Sequence, residues 1–253
     1  MKKRPVILLT ACMIMTVTVF PQKKFEGGLT IGTGIADFRG LDAEYLREDI
    51  SYVLSEALGE EFPVESRPRT FTLNGGVFGI YNVLPWLGIR VAADYVQKGQ
   101  GYRGDLYLTT NLNMESQVLE FSSDFRLDYL ELPVSVQLSN RSKRKEKNVY
   151  FYVNAGVAPA FNISAKNETT MSLVERGFNN SGVTSDVIES ESEVNDLDGI
   201  ASNDLGVLVS AGIVFNSIAL DVKLTNGRKS IYEDPDDGDI RNNNISFSMW
   251  FIF

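Results

Sequence analysis

The 253-residue sequence contains no histidine, so acyl transfer and proteolysis built on a histidine base are excluded. What remains is carboxylate, ammonium and guanidinium chemistry. Six such residues, Glu26, Arg90, Asp94, Glu131, Asp221 and Lys223, share a pattern: each sits at a polar position of a segment whose alternate positions are apolar. In a strand, alternation means opposite faces, so these charges are expected to point together into an enclosed interior. There they can pair or line a conduction path. An unpaired buried charge costs several kcal/mol, which favours pairing, and Arg90 with Glu131 is the expected pair. Carboxylate pairs also occur at Glu189 and Glu191 and at Asp236 and Asp237. Asp234 to Asp239 suits calcium poorly, because Gly238 departs from the EF-hand spacing. No catalytic, cofactor-binding or metal-binding set is assigned.

The elements that position these charges read as strands. Phe25, Leu29, Ile31 and Ile35 alternate with small or polar residues, Phe71 to Val83 forms a second strand, and Leu87, Ile89, Val91, Ala93 and Tyr95 mark a third. That third strand continues past Gly99, Gly101 and Gly104 into a hairpin expected to turn near Asn113 to Ser116. On the return path Phe125, Leu127 and Tyr129 lie on one parity and Leu130, Leu132, Val134, Val136 and Leu138 on the other. This switch predicts a bulge near Tyr129 and Leu130. Val149 to Ile163, Leu205 to Phe215 and Ile218 to Leu224 give three more strands, the last two joined by Asn216 and Ser217. Between them, Ala165 to Asp204 is polar, acidic and without period, and reads as a mobile external loop. Leu46, Ile50, Val53, Leu54 and Leu58 recur at helical spacing, predicting a short helix in the first connection. Its single stripe suits packing on neighbouring strands or capture of a partner.

The last strand carries Ile245, Phe247, Met249, Phe251 and Phe253 on one face. Exposed to water, such a ribbon invites aggregation; exposed to lipid, it is stable. Eight strands with alternating short and long connections predict an all-β fold: an eight-stranded antiparallel transmembrane β-barrel with long external loops and a short helix in the first loop. At the other end, Lys2, Lys3 and Arg4 precede an apolar run from Val6 to Phe20, the order of a secretory signal. We read residues 1–22 as that signal and 23–253 as the barrel. The single cysteine, Cys12, lies inside this run, either discarded with it or in a lipoprotein-type processing box formed with Leu9, Thr10 and Ala11. The formal net charge of −9, with three cations among the first four residues, disfavours nucleic acid as a partner. Arg141, Lys143, Arg144, Lys145 and Lys147 form a basic turn, either solvated or touching a periplasmic partner.

Asp94-Tyr95-Val96-Gln97-Lys98-Gly99, Asp128-Tyr129-Leu130-Glu131-Leu132-Pro133, and Tyr150-Phe151-Tyr152 with Gly156 resemble stretches of the PorT-like outer-membrane β-barrel family of the Bacteroidetes. The resemblance covers roughly residues 25 to 253 and implies an outer-membrane location. It implies little about activity: one named member is linked to secretion and gliding, and no partner-binding residue carries over. The expected contacts are outer-membrane lipid, the barrel-assembly machinery through the C-terminal strand, and an envelope protein through the loops. We expect a monomeric, non-enzymatic scaffold or binding module; a narrow solute channel and a secretion-machine component are the alternatives.

Overall fold

The computed structural model describes residues 24–40, 42–110, 116–141, 149–179, 182–234 and 238–253. The expected signal segment with Cys12, the turn at 113–115, most of the basic turn and the middle of the acidic loop lie outside them. The strands are β1 (Phe25–Arg39), β2 (Glu65–Leu84), β3 (Leu87–Thr110), β4 (Ser116–Glu131), β5 (Val134–Ser139), β6 (Val149–Asn179), β7 (Gly182–Asp196), β8 (Asn203–Phe215), β9 (Ile218–Gly227) and β10 (Arg241–Ile252). One helix, α1 (Ala43–Leu58), follows β1.

All ten strands join one sheet, and the sheet closes on itself. Neighbours pair antiparallel from β1 through β2, β3, the β4 and β5 segments, β6, β8 and β9 to β10, and β10 returns to β1 from Gly28 opposite Ile252 to Arg39 opposite Arg241. The ring has eight staves, fewer than the strands present. β4 and β5 are two parts of one stave, parted at Pro133, which has no N–H to give the ladder. Its carbonyl still accepts from Ala92, and Leu132 donates to Pro159. β7 pairs only with β6 and stands outside the ring.

Each stave turns one parity outward: Leu29 and Ile31, Ile89 and Val91, Val134 and Val136, Phe151 and Val153, Val207 and Val209, and Leu220 and Val222 are exposed. Ile245, Phe247, Met249, Phe251 and Phe253 continue this apolar belt on the closing strand. In water it would be costly; facing hydrocarbon it is the stable arrangement, while closure leaves no unpaired backbone edge within the ring.

Two expectations fail. First, β4 has no parity switch: Leu127 and Tyr129 are buried, on the same side as Glu131, Ser135 and Gln137. The irregularity falls on the partner strand, where Asp128 faces Ser164 and Tyr129 faces Asn162, leaving Ile163 as the extra residue. The external part of the lumen is apolar, so hydrophobicity alone does not distinguish the two faces there. Second, the stretch from Ala165 is no unstructured loop, because β6 runs on to Asn179 and β7 returns beside it as a hairpin.

Beyond the apolar belt, on the side of the long connections, which outer-membrane barrels turn outward, β2, β3, β4, β6 and β7 continue as a sheet, here termed external. α1 packs across one face of it: Leu46, Ile50 and Leu54 meet the cluster of Phe62, Val64, Tyr102 and Phe121. Val53 and Leu58, expected in the same stripe, remain exposed. Gly104 allows this closeness, since a Cβ there would sit 2.4 Å from the Phe62 ring. The helix ends at Gly59, whose left-handed conformation lets its N–H reach Ser55.

Candidate functional site: a filled lumen below an external sheet

An eight-stave barrel is just wide enough for its own side chains, and the lumen is filled in layers. At the end where Phe25, Phe253 and the short turns lie, Trp250, Phe78, Ile80, Tyr150 and Tyr152 form an aromatic layer. Arg90 rests on it, its guanidinium 4.4 Å from the Trp250 ring and 5.3 Å from that of Phe78. Tyr152 stacks on Trp250 at 5.0 Å and donates from its hydroxyl to Asp221 at 2.7 Å. Arg90 makes no ion pair with Glu131, so the expected pairing does not form. An aromatic face offers its charge a partner without a carboxylate.

The next layer is ionic. Lys98 Nζ lies 2.8 Å from Glu131, and Lys223 Nζ lies 3.6 Å from the other Glu131 oxygen and 3.5 Å from Asp94. Asp204 approaches Lys98 at 3.9 Å, and the Lys98 ammonium also stands 4.9 Å from the Tyr129 ring. All five charged side chains are almost wholly buried. At that depth, removing Glu131 would leave Lys98 only the more distant Asp204 and Lys223 only Asp94, so this layer acts as a lock across the lumen. Above it, Phe38, Leu127, Tyr129, Ile231 and Ile240 form an apolar cap.

Of the six interior charges expected from sequence, Asp94, Glu131 and Lys223 meet in the lock, while Arg90 and Asp221 lie in and beside the aromatic layer. Glu26 belongs to neither. It stands near the barrel end, paired with Arg141 and accepting from Asn82 Nδ2 at 3.1 Å. Lys98 and Asp204 were missed, although both share the inward parity: Lys98 with Arg90 and Asp94, Asp204 opposite Leu205 and Val207. Gly99 hid the first by breaking the pattern. It holds φ +137°, and a Cβ there would meet the Phe125 carbonyl at 1.9 Å.

On the external sheet, burial pushes the Tyr102 phenol well above its usual range, keeping it neutral under the helix. The Arg176 guanidinium is raised by its hydrogen bond to Glu120. Among the described residues no group of side chains has the makings of a metal site.

A closed antiparallel ring with an apolar outer belt and a charged, filled interior defines an outer-membrane β-barrel. The sequence matches the family model described as outer membrane protein beta-barrel domain over residues 20–231. The chain belongs to that family and is a protein of the bacterial outer membrane. No curated protein matches the sequence. Among solved structures it is similar to Ail, the attachment invasion locus protein of Yersinia pestis, at 9% identity and a TM-score of 0.32, covering 91% of this chain and 99% of that one. The same protein in complex with the heparin analogue sucrose octasulfate gives 10% identity and a TM-score of 0.31 over the same shares, 91% and 99%. The translocator domain of the autotransporter NalP from Neisseria meningitidis gives 5% identity and a TM-score of 0.24, covering 97% and 94%. Likenesses this distant do not bear on function.

Proposed function

We propose that the chain is a non-enzymatic binding module: a closed barrel that anchors an external sheet to the cell surface. The observation that carries this reading is the lumen, crossed by an aromatic layer, the Lys98, Glu131 and Lys223 lock and an apolar cap. Opposite charges at contact distance close a path that a solute channel would need open, so the channel reading is the weaker one. The ordered, solvent-facing part is the external sheet, where recognition residues are free to vary without unfolding the barrel.

We read the chain as PorT-like within its family. The most specific stretch, on β4, lies beside the matching stretch of β3, with Asp94 opposite Glu131 and Lys98 opposite Leu127. Together they supply three members of the ionic lock, so the resemblance records how the barrel is held shut rather than a secretion activity. The outward face of β10, from Ile245 to Phe253, is read as the segment met by the barrel-assembly machinery, and the barrel as a monomer.

Uptake of arabinose into proteoliposomes tests the reading, with heat-modifiable gel mobility confirming that the barrel is folded. A folded barrel that admits no arabinose is expected. Rapid uptake by folded protein would make transport the function.

A further inference from the structure

The external sheet has two unlike faces. One carries the apolar cluster on which α1 packs. The other holds a groove of about 540 Å³, within the range of small-ligand sites.

Its residues stand in two rows. Glu65, Arg103, Ser122 and Thr170 lie opposite one another across β2, β3, β4 and β6. Two residues farther from the membrane, about 7 Å along the strands, Asp105, Glu120 and Ser172 form the second row. The rows differ in charge. Arg103 in the first row and Arg67, two residues nearer the membrane and opposite Gly101, face the lining carboxylate Glu65, which takes Arg67 at 3.7 Å; Asp124 lies across Gly101 from Arg67, outside the lining. Arg103 is left with neither an ion pair nor a side-chain hydrogen bond among the described residues. In the second, Asp105 and Glu120 share one guanidinium, that of Arg176, which lies 3.5 Å from Asp105 and pairs with Glu120. Among the residues that line the groove, positive charge is therefore in surplus near the membrane, through Arg103, and negative charge is in surplus above it. Its floor carries the hydroxyls of Ser122, Thr170 and Ser172.

We propose that this groove binds a zwitterionic saccharide unit, with its anionic group on Arg103, its ammonium on Asp105 and Glu120, and its hydroxyls on the Ser and Thr floor. The inference rests on reading the external sheet as the binding part of the protein. Separation of charge selects a zwitterion over a simple anion or cation, because either of the latter meets a like charge in one half of the groove. Thr170 and Ser172 already bond to Ser192 and Ser190 of β7, but the Ser122 hydroxyl has no partner among the described residues, and it selects a polyol body over an apolar one, which would strip it of water without replacing its hydrogen bond.

The test is titration calorimetry of the chain refolded in detergent, with glucosamine 6-phosphate, glucose 6-phosphate and glucosamine as probes. Glucosamine 6-phosphate is expected to bind at least tenfold more tightly than either of the others. Arg103→Gln removes a side chain without a structural partner and should bring its affinity down to that of glucosamine. Asp105→Asn, which leaves Arg176 its Glu120 partner, should bring it down to that of glucose 6-phosphate. Absence of saturable binding, equal affinities for the three probes, or an Arg103→Gln variant that binds as the parent does overturns the proposal. A barrel that takes up no arabinose yet binds no probe refutes this ligand class alone, whereas one that admits arabinose refutes the module reading beneath it.

Discussion

β3, β4 and β6 each run without interruption from the membrane ring into the external sheet, and the two parts of the same strands obey different rules. Inside the ring, lipid on one side keeps one parity apolar, and over the ionic part of the lumen the other parity is polar or small, so the alternation is clear. Outside it, water meets one face and α1 only part of the other, so the alternation fades while the hydrogen-bonded ladder continues. A strand is held by its ladder, but its sequence pattern records its surroundings.

If the two parts are independent, damage to one leaves the other intact. Glu131→Gln leaves Lys98 and Lys223 buried without their shared partner. We expect it to cost about 3 kcal/mol or more of barrel stability, read as an earlier urea midpoint in lipid vesicles. Restoring an apolar match with Lys98→Met in the Glu131→Leu background should recover much of that loss, although Lys223 then keeps only Asp94.

Phe62→Ala should act on the other part. The ring is buried against Phe121 and Gly104, and its truncation is expected to cost about 3 kcal/mol, but locally. α1 should become sensitive to protease while heat-modifiable mobility stays as in the parent. Loss of both together would mean that barrel and external sheet fold as one unit. Smaller still is Glu120→Gln. Its pair with Arg176 is about one-third exposed, and water screens it, so a change below about 1 kcal/mol is expected in the same urea experiment.

The same difference in surroundings decides which strands are legible in the sequence. The staves with lipid outside and polar or small residues inside, such as β1, β8, β9 and β10, were legible from period alone. The hairpin of β6 and β7 was not, because Thr170, Ser172, Ser190 and Ser192 put polar groups on a face that meets water, and Glu189, Glu191 and Glu193 alternate with them. Strand formation showed there only in Thr, Val and Ile content, at Thr169, Thr170, Val174, Val187 and Ile188. Leu127 and Tyr129 misled for the opposite reason: they are apolar and face inward, since the lumen changes from ionic to apolar along its length. The charged lock was half visible. Parity marked Asp94, Glu131 and Lys223, but nothing local in the sequence shows that Arg90 settles on Trp250, 160 residues away, rather than on a carboxylate. The external groove escaped because its rows are assembled from four strands and are not contiguous in any.

The most direct test is single-channel recording of the refolded protein in planar bilayers, beside the Glu131→Gln variant. A lumen filled by its own side chains predicts no steady conductance from the parent and, where the lock is broken, brief openings at most. Stable, reproducible conductance from the parent would contradict the filled lumen and the division between closed anchor and external binding sheet that depends on it.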